Sequence, residues 1–174
     1  MIQFCIFGGH EGQLNTEKKI YVTIFGGCEL KKQTLARRIV ESRRRPSNGE
    51  PSRRRFFFVT IFGGTEVKLP TLAEEYLDMQ DAMRAGLITP ADWEAAQLLD
   101  EDVNYGSFTA FGGFEASHLP SEDEEVEGLA INRHLGHIPE NAGHMLEHAV
   151  GRSGSHRTAI LRQALQRGAS PVHA

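Results

Sequence analysis

The sequence predicts a mainly β chain with α-helical insertions: a short β-solenoid of four coils, with a helical hairpin and a C-terminal helix. Three observations lead to that class. One motif, Phe-Gly-Gly, a variable residue, then Glu, recurs at Phe7-Gly8-Gly9-His10-Glu11, Phe25-Gly26-Gly27-Cys28-Glu29, Phe62-Gly63-Gly64-Thr65-Glu66 and Phe111-Gly112-Gly113-Phe114-Glu115. Residues 21–40 align on residues 58–77 without a gap, at a constant offset. Aromatic and β-branched residues precede each glycine pair, which favours a strand running into a tight bend or a close approach of backbones.

Each unit then reads in order as strand, Gly-Gly corner, second short strand and helix start. The second strand covers residues 28–31 or 65–69, and Thr34 and Thr71 cap the helical turn that follows. Leu35 and Ile39, and Leu72 and Tyr76, stand at helical spacing. Stacking such units is expected to place the four phenylalanines in one internal column. The four glutamates then occupy equivalent surface positions, interleaved with Lys31 and Lys68; a metal-binding carboxylate column is the alternative use of the same residues. The first and last copies are degenerate, as terminal coils acting as caps are.

Between copies two and three, residues 42–55 form a basic loop with two arginine triplets, Arg43, Arg44, Arg45 and Arg53, Arg54, Arg55. Its centre has the composition of a disordered linker. The arginines suit contact with an acidic surface, whether the chain's own acidic stretch, an acidic partner or phosphate. Residues 71–100 read as a helical hairpin. Leu72, Tyr76, Met79 and Met83 mark its first face, Gly86 ends that helix, and Thr89-Pro90-Ala91-Asp92 opens the next. Leu87 and Trp93 are expected to pack against the solenoid, or to form a partner patch if exposed.

The Ile-Phe-Gly-Gly-x-Glu strands, with Val67 to Pro70 after the third, resemble the β-solenoid domain of bacterial cell-envelope stress proteins that respond to cell-wall-active antibiotics. They are also similar to small actinobacterial domains in which FGG strands accompany a helical pair. Residues 83–96 resemble a short helical module appended to many bacterial envelope and regulatory proteins. The resemblance implies a regulator without catalytic residues, often tethered by transmembrane helices. This chain departs from that pattern, because its longest apolar runs fall far short of the roughly 20 residues a bilayer requires. Its first residues enter the repeat at once, with no basic region of a signal peptide, so a cytoplasmic protein is expected. Cys5 and Cys28 sit at different repeat positions, which suits reduced thiols.

The net charge of −4 is unevenly divided: +7 over residues 1–60, −14 over 61–127 and +3 over 128–174. Arg37-Arg38 in one copy become Glu74-Glu75 in the next, so neighbouring helices have complementary pairs to set register. The acidic run at residues 122–127 reads as a solvated segment.

Residues 1–127 thus form the repeat domain, and residues 128–174 a His-rich segment with an amphipathic helix. His144 and His148 fall on one helical face near His134 and His137, the spacing of a metal site. Gly136, Pro139 and Gly143 interrupt the segment and no cysteine is near, so no metal is expected. In the last helix Ile160, Leu161 and Leu165 form an apolar stripe that docks on the solenoid's end, or serves a membrane surface or self-association. The glycine pairs lack the spacing of phosphate-binding loops, so no nucleotide or other cofactor is expected. No arrangement of nucleophile, base and orienting group stands out. The expected role is non-enzymatic: regulation or scaffolding in envelope-stress signalling through protein contacts, with self-assembly into a structural solenoid as the alternative and a His-bound metal protein behind it.

Overall fold

A computed structural model describes residues 1–14, 20–44, 54–92 and 103–168. Strands and helices succeed one another as β1 (Ile2–Cys5), β2 (His10–Gln13), β3 (Ile20–Lys31), α1 (Leu35–Arg44), β4 (Arg54–Lys68), α2 (Leu72–Arg84), β5 (Val103–His118), α3 (Glu122–His134), α4 (Glu140–Glu147) and α5 (Gly154–Gly168). The chain divides into a sheet unit built on the strands and a helical unit built on α2 to α5 with the start of α1.

The β-solenoid does not form, and the chain is not mainly β. The strands make one uncurled parallel sheet in an α/β arrangement. Its order is β1-β3-β4-β5, with β2 beside the second half of β3. The physical reason lies between the motifs. A solenoid coil closes through further strands, whereas the segment after β3 contains α1 and the segment after β4 contains α2, the helical connection that parallel pairing ordinarily uses. Among the described residues no helix is long and apolar enough to cross a membrane.

The repeat register itself is kept. Phe25, Gly26, Gly27 and Glu29 pair with Phe62, Gly63, Gly64 and Glu66, which pair in turn with Phe111, Gly112, Gly113 and Glu115. Along β3, Tyr21 and Thr23 are buried, and so are Cys28 and Leu30, five and seven residues after Thr23. An odd step cannot keep one face of a straight strand. The glycine corner therefore reverses the phase, and both arms face one core of Leu14, Tyr21, Cys28, Leu30, Phe56, Phe58 and Val67. Thr60 and Thr65, on the two arms of β4, share a hydrogen bond of 2.9 Å across that corner.

In the helical unit the caps form a relay. Thr71 accepts from the Glu74 amide, and Glu74 accepts from the Thr71 amide at 3.0 Å; Ser121 and Glu124 repeat this capping box on α3. The next residue in each helix serves its predecessor. Glu75 Oε2 accepts from the Leu35 amide of α1 at 3.0 Å, and Glu125 Oε2 accepts from the Leu72 amide of α2 at 2.8 Å. Each thereby satisfies a first-turn donor that has no partner in its own helix. Arg37 meets Asp78 of α2 at 3.3 Å.

Glu125 is not part of a solvated acidic run. It is fully buried and paired with the buried Arg157 of α5, whose Nη2 also donates to the Pro70 carbonyl at 2.9 Å. The stripe on α5 belongs to this packing as well. Leu161 and Leu165 are buried and Ile160 is half-buried, and α5 packs on α2 and α4.

Candidate interaction surface

The turn at each glycine pair carries its phenylalanine to the outside of the corner. Phe7, Phe25, Phe62 and Phe111 do stack as a column, with ring centroids 5.4, 5.1 and 5.1 Å apart and planes within 5° of parallel. The column is external, against the expectation: the inner rings are 44% and 43% exposed and the end rings, Phe7 and Phe111, 79% and 67%. The core had no place for them, because the phase reversal leaves Phe25 on neither buried face.

Two further rows run parallel to this ladder across the first arm of the sheet. Ile2, Ile20, Phe57 and Gly106 are paired neighbours, as are Phe4, Val22, Val59 and Phe108. All lie partly or fully exposed on the face opposite the core. Phe57 leans across Gly106, where a Cβ would stand 2.7 Å from the ring. Solvated sheet faces ordinarily carry polar residues, and parallel sheets are ordinarily covered on both sides. Here the outer face is aliphatic and aromatic, and among the described residues of the sheet unit it is partly to fully exposed.

Beyond the corner, the second glycines, the variable residues and the glutamates of all four copies line an open groove of about 640 Å³. Glu11, Glu29, Glu66 and Glu115 are in register. Lys68, only 14% exposed, reaches both Glu29 Oε1 at 3.4 Å and Glu66 Oε2 at 3.9 Å, as the sequence suggested. In the fourth copy an irregularity between Val67 and Lys68 aligns His118 with Lys68, and His118 Nδ1 lies 3.1 Å from Glu115 Oε1. Bulges re-aim side chains in this way. Glu66, Glu115 and His118 thereby bring three metal-ligand atoms within 4.8 Å of one another, though the Lys68 ammonium already attends Glu66.

The other predicted residues are dispersed. His134, His137, His144 and His148 are exposed, and His144 pairs with Glu147 at 3.5 Å; among the described residues these four do not converge. Arg43 and Arg44 extend α1, and Arg54 and Arg55 open β4, so both ends of the expected basic loop are regular structure. Arg45, Arg53 and Trp93 lie outside the described residues. Leu87 is 45% exposed, while its neighbour Ile88 is buried.

Cys5 and Cys28 are both free thiols. Burial pushes the Cys28 thiol pKa up, partly offset by its hydrogen bond with Thr23. A raised thiol pKa favours the neutral form in the fold, so its contribution is intact below the ordinary thiol value and is lost as pH rises through the shifted one. With a disulfide-exchange reagent at pH about 8, Cys5 is expected to react at once and Cys28 at least about tenfold more slowly. Equal rates would show that Cys28 is open to solvent.

No family model, no curated protein and no solved structure matches this chain.

Proposed function

We propose that this protein is a non-enzymatic regulator or scaffold of bacterial envelope-stress signalling, acting in the cytoplasm by holding another protein on the outer face of its sheet. The observation that supports the reading is the partly exposed apolar face carrying Phe4, Val22, Val59, Phe57 and Phe108. Contiguous apolar surface of this kind marks interaction sites, and aromatic side chains are the residues that most often dominate binding energy. The setting rests on the resemblance of the FGG strands to envelope-stress regulators.

The partner that fits is a protein presenting an apolar helix or sheet face. Phe4 and Phe108 are 62% and 58% exposed, so replacing both by serine leaves the core intact. In affinity capture from the native cytoplasm, the wild-type chain is expected to retain an envelope-signalling protein at defined stoichiometry. The F4S/F108S variant is expected to lose it while melting at the same temperature. Retention of the same proteins by both chains would refute the proposal.

A further inference from the structure

We propose that a second copy of this chain extends the sheet, its first motif seating on the outer edge of the fourth motif of the copy before it. The inference goes beyond the outer-face reading and concerns the sheet's two edges.

Within one chain the motif stacks on itself three times, always parallel and always in register. The contact at the corner is directional. A Cβ built at Gly26 would lie 2.2 Å from the Gly8 carbonyl oxygen, at Gly63 1.8 Å from that of Gly26, and at Gly112 1.7 Å from that of Gly63. Each first glycine of a pair thus exists to admit the carbonyl of the preceding motif. Gly8 has the same kind of backbone, with φ of 93°, yet among the described residues nothing stands within 4 Å of the equivalent position. The space that a preceding carbonyl fills in the other three motifs is open in the first. At the opposite edge, β5 is the last described strand of the sheet, so no described motif follows Gly112.

The ring ladder ends in the same way. The terminal rings are 79% and 67% exposed against 44% and 43% for the inner two, because each has one unstacked face. What the Gly8 edge requires is a strand with a flat aromatic residue and then a glycine carbonyl at matching register. Phe111 and Gly112 of another copy supply both. The two edges differ, so the contact is head-to-tail and does not close on two subunits. Each added copy contributes four rungs, β1 and β2 sharing one, a rise of about 19 Å at ordinary strand spacing. The pairing brings Glu11 beside Glu115, so raised salt is expected to favour it.

The test is sedimentation of the full chain, from about 1 µM to about 500 µM, with each edge altered separately. For the wild type, the mass is expected to rise with concentration beyond two copies of the 19.3 kDa chain. F7E and F111K, each changing an exposed end ring, are each expected to weaken association at least about tenfold. Mixed together they are expected to pair again, since each retains the edge that the other has lost. Recovery on mixing also shows that both variants are folded. The outer-face variant F57S, altered on the inner strand β4 and away from both edges, is expected to assemble like the wild type. A wild type that stays at one copy, a limit of two copies, indifference to F7E and F111K, no recovery on mixing, or loss of assembly in F57S would each overturn the inference. Partner capture by a chain that stays monomeric would leave the outer-face proposal standing alone.

Discussion

Replacing Glu125 by Gln is expected to destabilise the helical unit by about 3–5 kcal/mol, the cost of leaving one member of a buried ion pair without its counter-charge. The carboxylate is fully buried and serves two elements at once. One oxygen meets the Arg157 guanidinium of α5 and the other caps the Leu72 amide of α2. Urea unfolding followed by far-ultraviolet circular dichroism measures the loss. In a chain of this size it corresponds to a fall in Tm on the order of 10 °C. A well-packed apolar pair, E125L/R157M, is expected to recover most of the stability lost by E125Q, because it removes both charges together. The Leu72 amide then loses its acceptor, so recovery is expected to stop about 1 kcal/mol short. A loss below about 1 kcal/mol for E125Q would show that water reaches the pair.

A comparable loss is expected at the centre of the sheet from one methyl group. Gly63→Ala places a Cβ 1.8 Å from the Gly26 carbonyl oxygen, on a backbone with φ of 133°. Neither strain is relieved without separating β3 from β4, and about 4 kcal/mol or more of stability is expected to go. Its neighbour is the control. Among the described residues nothing lies within 4 Å of the Cβ that Gly64 lacks, and its φ is not positive, so Gly64→Ala is expected to change stability by less than about 1 kcal/mol. Equal effects of the two substitutions would remove the close approach as the reason for the glycine pair.

The register of the sheet was legible because the repeat states it: the constant offset between copies two and three is the pairing of β3 with β4. The cap at Thr71, the face of α2 and its end at Gly86 followed from local chemistry in the same way. What lay between the strands was not legible, because an FGG strand pairs identically whether a coil or a helix carries the chain to the next one. The fate of the phenylalanine column depended on the phase reversal at the corner, which strand alternation alone does not reveal. Glu125 was hidden for a different reason: it pairs with Arg157, 32 residues away, while it stands in the sequence among the acids Glu122, Asp123, Glu124 and Glu127.

The chain also carries a second repeat, of longer period. Leu69-Pro70-Thr71 with Glu74-Glu75 recurs as Leu119-Pro120-Ser121 with Glu124-Glu125, and Gly86 and Ile88 recur as Gly136 and Ile138, all at an offset of 50. Gly86 and Gly136 share a positive φ, 69° and 73°, and the residue after each donates to the carbonyl five positions earlier, Leu87 to Ala82 and His137 to Asn132. From Phe62 to Phe111 the offset is only 49, and the irregularity near the end of β5 absorbs the difference. The extra residue made the fourth copy look degenerate when its helix in fact repeats the third.

The near-identity of the strands also sets a problem for the folding chain. Glycine, phenylalanine and glutamate would match equally well if β3 met β5 and left β4 out, so the sheet alone does not encode the order of its own strands. The helices distinguish them. Asp78 of α2 reaches Thr34 at 2.8 Å and Arg37 at 3.3 Å, whereas the equivalent position in α3 is Gly128, which lies close to Thr71 and Ala73. A strand skipped in the sheet would bring Gly128 to Thr34 and leave Asp78 without its partners. Sequence differences that look like decay of a repeat are, on this account, the address labels by which four interchangeable motifs find their places.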